Sequence, residues 1–242
     1  MNCVTGIVGG MSLRVYRAWQ GTRSTVIRLP WLIACATLLC VSLALAERSG
    51  LSETLLSFVA QKYGMTAKQR LLDWQALVVA SSAEPEAVKL ERVNHFFNRV
   101  GFIPDSRHWG KEDYWATPVE FLASDGGDCE DFSIAKYFTL VELGVPVERL
   151  QITYVKALRL NQAHMVLTYA PKPGAEPLVL DNLVDEIRPA SERADLEPVY
   201  SFNGIGLWLA KERGRGSLVG DATHIGLWRD LLRRMNIEIG QQ

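Results

Sequence analysis

The sequence predicts an α+β domain. Apolar residues recur at three-to-four spacing over the first half of the main region, two short helix-start signals follow, and runs rich in Val, Leu, Ile, Thr and Tyr come last. Leu51–Tyr63, Thr66–Ser81 and Pro85–Val100 carry the helical spacing, for example Leu71, Leu72, Trp74, Leu77 and Val78, with Gly64 and Gly101 as stops. An aromatic loop, His108–Trp115, leads to Thr117-Pro118-Val119-Glu120. That tetrad is a capping box with proline at the first helical position, so a short helix runs to about Ala123. Ser124-Asp125-Gly126-Gly127 breaks the chain, and a second helix starts at Asp128 and continues to Gly144. Leu150–Leu158, Ala163–Ala170 and Pro177–Leu183 read as an antiparallel meander. A further strand is expected within Val199–Leu209 and a terminal helix over Ile225–Met235. No internal repeat or long linker divides residues 47–242, which read as one domain.

With 48% apolar and 22% charged residues, the 242-residue composition is globular, which excludes disordered and fibrous classes. The formal charge of -1 hides an asymmetry: residues 1–46 hold Arg14, Arg17, Arg23 and Arg28 and no other charged residue, so without these four positive charges the remainder stands at -5. A mildly acidic remainder offers no basic face for a phosphate backbone, so nucleic acid is not an expected partner. Residues 1–46 read as a secretory signal peptide, with a basic region, the uncharged apolar run Leu29–Leu45 and the small-x-small site Ala44-Leu45-Ala46. The alternative is an uncleaved anchor, because such a run lies at the lower limit for spanning a bilayer.

Cys3, Cys35 and Cys40 lie inside the signal, so cleavage leaves Cys129 alone. An unpaired thiol in an oxidising compartment asks for a reason. Cys129 falls in the first turn after Gly126-Gly127, where free N–H groups and the helix dipole stabilise a thiolate and an oxyanion. His164, on a strand expected in the central sheet, is the candidate base; His95, His108 and His224 fall on a helix seam or near loop and helix starts. If Ala170 pairs with Ala175 across the Pro171–Gly174 turn, partner numbers add to 345, which sets Asp181 directly opposite His164. The alternative is a core histidine with an ordinary cross-strand acid. Asp128, Glu130 and Asp131 crowd the cysteine with carboxylates that oppose its ionisation. They either hold a divalent cation through hard oxygen ligands, with further ligands such as Asp113 from elsewhere, or merely cap the helix dipole.

Gly127-Asp128-Cys129-Glu130-Asp131-Phe132, Gln162-Ala163-His164-Met165-Val166 and Val179-Leu180-Asp181-Asn182-Leu183 occur in this order. The chain thereby resembles the bacterial transglutaminase-like cysteine proteinases, in particular the LapG-type periplasmic adhesin proteases. The resemblance extends from Val93-Asn94 through Trp109 and Tyr114–Pro118 to Leu183. It implies a papain-like or transglutaminase-like core, with Cys129 as nucleophile, His164 as general base and then acid, and Asp181 as orienter. It further implies dependence on Ca2+, for which Asp128, Glu130 and Asp131 are the expected ligands. Location in the periplasm, cleavage of the N-terminal region of a large surface adhesin with biofilm dispersal, and sequestration by an inner-membrane cyclic di-GMP receptor are expected on the same ground. Two competing functions use the same residues: a transglutaminase or amidase with an amine or water as acceptor, and a secreted calcium-binding module with an inert Cys129. No His-Glu-x-x-His and no Gly-x-Ser-x-Gly motif occurs, which disfavours zinc and serine hydrolases.

Overall fold

The computed structural model describes residues 50–209, 218–222 and 225–240, so the expected signal peptide and His224 lie outside the described residues. Three helices open it: α1 (Glu53–Tyr63), α2 (Met65–Ser81) and α3 (Glu86–Phe97). Ser52 caps α1 by accepting from the Leu55 N–H at 3.1 Å. Leu55, Val59, Leu71, Trp74, Leu90, Val93 and Phe97 turn inward from these helices, as their spacing predicts.

The next segment builds the start of the site. β1 (Gly101–Phe102) is followed by a short helix, α4 (Asp105–His108). α5 (Pro118–Ser124) starts on the predicted capping box, with both Thr117 and Glu120 bonds formed. It ends at Asp125, whose φ of 58° lies in the left-handed region and turns the chain sharply. Arg70 of α2 covers the exposed end of α5 by donating to the Leu122 and Ala123 carbonyls at 2.6 and 2.9 Å. β2 (Gly126–Gly127) then pairs in parallel with β1, Gly101 with Gly126 and Phe102 with Gly127. The sequence predicts only breaks at both glycine positions; this small ladder instead ties the entry of the next helix to the end of the helical layer. α6 (Cys129–Glu142) is central and largely buried, and Phe132, Ile134, Ala135, Tyr137 and Leu140 fill its core faces.

The strands form one antiparallel sheet of seven among the described residues: β3 (Leu150–Ala157), β4 (Gln162–Tyr169), β5 (Leu178–Leu180), β6 (Arg188–Pro189), β7 (Leu196–Phe202), β8 (Leu207–Leu209) and β9 (Leu218–Gly220). Their order is β6-β5-β4-β3-β7-β8-β9, and α6 packs on β4 and β3. The single strand expected within Val199–Leu209 is two strands, because the Asn203 side chain accepts from the Ile205 and Gly206 N–H groups and closes a turn there. The terminal helix, α7 (Gly226–Gly240), buries Trp228 and Leu231 against the core.

The predicted register needs correction. Leu167 pairs with Leu180 and Thr168 with Val179, so partner numbers add to 347 rather than 345. Ala170 does not pair with Ala175; its N–H goes to the Arg149 carbonyl, while the Ala175 N–H closes the turn on Lys172. The slip is of two residues, so face parity survives and His164 and Asp181 become diagonal rather than direct neighbours.

Candidate active site

The carboxylate and the imidazole meet. His164 Nε2 lies 2.8 Å from Asp181 Oδ1, and both side chains are buried. Asp181 Oδ1 also accepts from the Leu183 N–H at 3.0 Å, while Oδ2 accepts from Arg193 Nη2 at 2.7 Å. Burial would raise the Asp181 carboxyl, but the His164 hydrogen bond and charge, the Leu183 N–H and Arg193 outweigh it and hold it down at about 2. With Nε2 committed to Asp181, the other ring nitrogen, Nδ1, is the one free for proton transfer.

Cys129 is the first residue of α6 and is half-buried. The Met165 backbone N–H reaches its sulfur, which sets the thiol against β4 at the residue next to His164. The thiol donates to Glu130 Oε2 at 3.0 Å. The helix terminus does not win the contest over ionisation: burial, then Glu130 and Asp128, push the thiol above its ordinary value.

Around the thiol the carboxylates form a cluster larger than the sequence motif. Ligand atoms of Asp128, Cys129 and Glu130 lie within 4.8 Å of one another, as do those of Asp105, Asp113 and Glu130 and those of Asp105, Asp128 and Asp131. Burial, then Glu130, raises Asp128 to about 8, and burial, then Asp128, raises Asp105 to about 6. Burial also raises Asp113 and Glu130. Asp105 Oδ1 and Asp128 Oδ1 are buried with no hydrogen-bond partner among the described residues. Orphaned buried oxygens beside mutually repelling carboxylates fit a hard cation with oxygen ligands. The three acids expected as ligands, Asp128, Glu130 and Asp131, each offer an oxygen to the cluster, and Asp131 in addition accepts from the Ala116 N–H at 2.7 Å and the Asp128 N–H at 3.2 Å, which makes it the closing member of the α6 capping box.

A family model for the bacterial transglutaminase-like cysteine proteinases matches residues 67–196, more than half of the chain. The chain belongs to this family. Within the family, LapG of Legionella pneumophila is 46% identical with a TM-score of 0.66, over 76% of this chain and 96% of that one. An EGTA-treated form of that protein gives 48% identity and 0.68 over 76% and 96%. A calcium-bound form gives 48% and 0.65 over 74% and 97%. No curated protein sequence matches the chain.

This family member has site residues that the sequence motifs did not reveal. Asp105 lies outside all three motifs and approaches Asp128 through space, with the Asp105 N–H donating to Asp128 Oδ2 at 3.3 Å. Arg193 and the buried Lys136 of α6 accompany Asp181, and neither position carries a sequence signal for that role. Within the aromatic loop, Trp115 is buried and stacks on Phe202 with centroids 5.5 Å apart. His95 is exposed, and His108 sits beside Gly126.

Gly127 has a steric role. A Cβ there would collide with Asp131 Oδ2 and lie 2.8 Å from Phe121 Cδ2. Gly127→Ala therefore displaces the Asp131 cap, and a loss of about 1–3 kcal/mol is expected from overpacking. Thermal unfolding checks this: an unchanged midpoint would mean that the carboxylate moves aside without cost.

Proposed function

We propose that the protein is a calcium-dependent cysteine endopeptidase of the periplasm that cleaves the N-terminal region of a large surface adhesin, with Cys129, His164 and Asp181 as its catalytic residues. The observation that carries the reading is the buried 2.8 Å pair of His164 and Asp181, with His164 on β4 next to Met165, whose backbone N–H faces the Cys129 sulfur, within a family of cysteine proteinases. Cys129 loses its proton to His164, and the thiolate attacks the scissile carbonyl carbon. Backbone N–H groups at the start of α6 stabilise the oxyanion. The tetrahedral adduct collapses as His164 returns the proton to the departing amine, which leaves an acyl thioester on Cys129. His164 then takes a proton from water, hydroxide adds to the thioester, and the acid product leaves as the thiol is reprotonated. Throughout, Asp181 holds the ring orientation and stabilises the imidazolium.

Asp128, Glu130 and Asp131 would hold calcium, with Asp105 and Asp113 as further oxygen donors. A bound divalent cation supplies positive charge that cancels the carboxylates opposing thiol ionisation. With Glu130 committed to that role, it no longer competes with His164 for the Cys129 proton. The calcium-bound and EGTA-treated forms of the similar Legionella pneumophila protein support the choice of ion. An inner-membrane receptor that responds to cyclic di-GMP is the proposed sequestering partner, on the family resemblance.

Surface display of the adhesin tests the reading: cells carrying Cys129→Ser should retain it under conditions in which wild-type cells shed it. Equal shedding from both strains would sink the assignment. Export has its own test, because the Ala44-Leu45-Ala46 site predicts a mature chain that begins at or near Glu47. Sequencing of the protein from periplasmic and membrane fractions decides between that form and an anchored one with an intact N-terminus.

A further inference from the structure

We propose that Arg193 is a positioning residue for Asp181: anchored by Asp195, its guanidinium fixes the carboxylate in the orientation that holds the His164 ring. This rests on the proteolytic reading above and extends it to a residue outside the three motifs. The connection between β6 and β7 carries Arg193, just after a turn of 3-10 helix at Ala190–Glu192. Its backbone is tied on both sides, since the Arg193 N–H donates to the Ala190 carbonyl at 3.1 Å and the Leu196 N–H to the Arg193 carbonyl at 3.0 Å. The side chain is 4% exposed, and its Nε and Nη2 donate to the two Asp195 oxygens at 3.0 and 2.9 Å. Such a two-pronged pair fixes the plane of the guanidinium as well as its position. From that anchored plane, Nη2 reaches Asp181 Oδ2 at 2.7 Å.

The geometry leaves Asp181 little freedom. Oδ1 is shared by His164 and the Leu183 N–H, and Oδ2 is taken by Arg193, so rotation of the carboxylate breaks contacts on both oxygens. Charged groups approach it from several elements: His164 on β4, Lys136 on α6, Arg193 before β7, with Asp185 after β5 and Asp195 beyond Arg193. Lys136 is a weak permanent counter-charge, because burial lowers it to about 7 even though Asp181 and Asp185 favour its proton. Arg193 keeps its charge throughout the working pH range and donates directly to the carboxylate. Without it, a buried carboxylate would keep one counter-ion that is needed in the reaction and another that is easily neutralised.

The test compares pH profiles of kcat and KM for the mature, calcium-loaded enzyme acting on a recombinant fragment that contains the adhesin's N-terminal region. Arg193→Met should lower kcat on the order of 10²-fold, the loss typical of a misplaced catalytic group, with KM little changed. Its acid limb should move to higher pH, because Asp181 then takes up a proton more readily. Arg193→Lys, which keeps the charge but not the fork, should return the acid limb toward wild type while kcat stays reduced. Arg193→Gln, which keeps a donor without charge, should leave the limb displaced. Folded variants with wild-type kcat and an unmoved limb overturn the proposal, and so does a loss of kcat with the limb unmoved in all three. If Arg193→Met does not fold, the Lys and Gln variants decide by the same criteria. Cys129→Ala run in parallel separates the two claims, since cleavage by that variant sinks the proteolytic reading itself.

Discussion

Cys129→Ser and His164→Ala should each leave a folded protein whose cleavage of the adhesin fragment has fallen on the order of 10⁴-fold or more. Groups that act as one relay fail together, so the loss of either costs nearly as much as the loss of both. Asp181→Asn should be the mildest of the three if the amide still orients the ring. An amide oxygen can still accept from His164 Nε2, and Cys-His-Asn sites show that an amide serves as the third member. The double variant Cys129→Ser with His164→Ala completes the cycle: activity no lower than in either single variant is expected. Wild-type turnover in the His164 variant would remove the imidazole from the mechanism.

Removal of calcium should have an effect of similar size. EGTA is expected to abolish cleavage, excess calcium to restore it, and Asp128→Asn or Glu130→Gln to raise the calcium required. The direction of the pH dependence follows from the shifted carboxyls. Burial, then Glu130, lifts Asp128 from 3.8 to about 8 in the cation-free protein, and Asp105 rises to about 6. Between the unfolded value and these folded values the folded chain binds more protons than the unfolded one, so cation-free stability falls as pH rises through that window. Calcium must displace those protons, and its binding therefore strengthens from pH 6 to pH 8. Thermal unfolding reads both effects: in EGTA the midpoint should be higher at pH 6 than at pH 8, and the rise on adding calcium should be larger at pH 8. The same midpoint with and without calcium at both values would leave the carboxylates a capping role only.

The order of helices and strands was legible because it depends on local chemistry. Thr117 and Glu120 form their capping box wherever the chain goes, and the spacing of Leu71, Trp74 and Val78 fixes an inward face without reference to other elements. The position of Cys129 at a helix start followed from Gly126-Gly127 and Asp128 in the same local way. Register was less accessible, because it depends on where the Ala170 N–H finds its acceptor, and that acceptor is the Arg149 carbonyl rather than a group on β5. The prediction of the His164 and Asp181 contact survived because the slip was even. Asp105 and Arg193 were not legible at all, since they reach the site from α4 and from the connection before β7, and only tertiary approach brings them there. The spacing of Asp131 from Asp128 suits a ligand set and a capping box equally, and in three dimensions it closes the box by accepting from the Ala116 and Asp128 N–H groups while a carboxylate oxygen lies within 4.8 Å of those of Asp105 and Asp128.

Mass spectrometry of the adhesin fragment after incubation with the mature enzyme and calcium tests the central claim most directly. Two products are expected whose masses together equal the fragment plus one water, formed with wild-type enzyme and absent with Cys129→Ser or in EGTA. A crosslinked product, a mass change from side-chain deamidation without chain cleavage, or cleavage that persists in the Cys129 variant would contradict that claim.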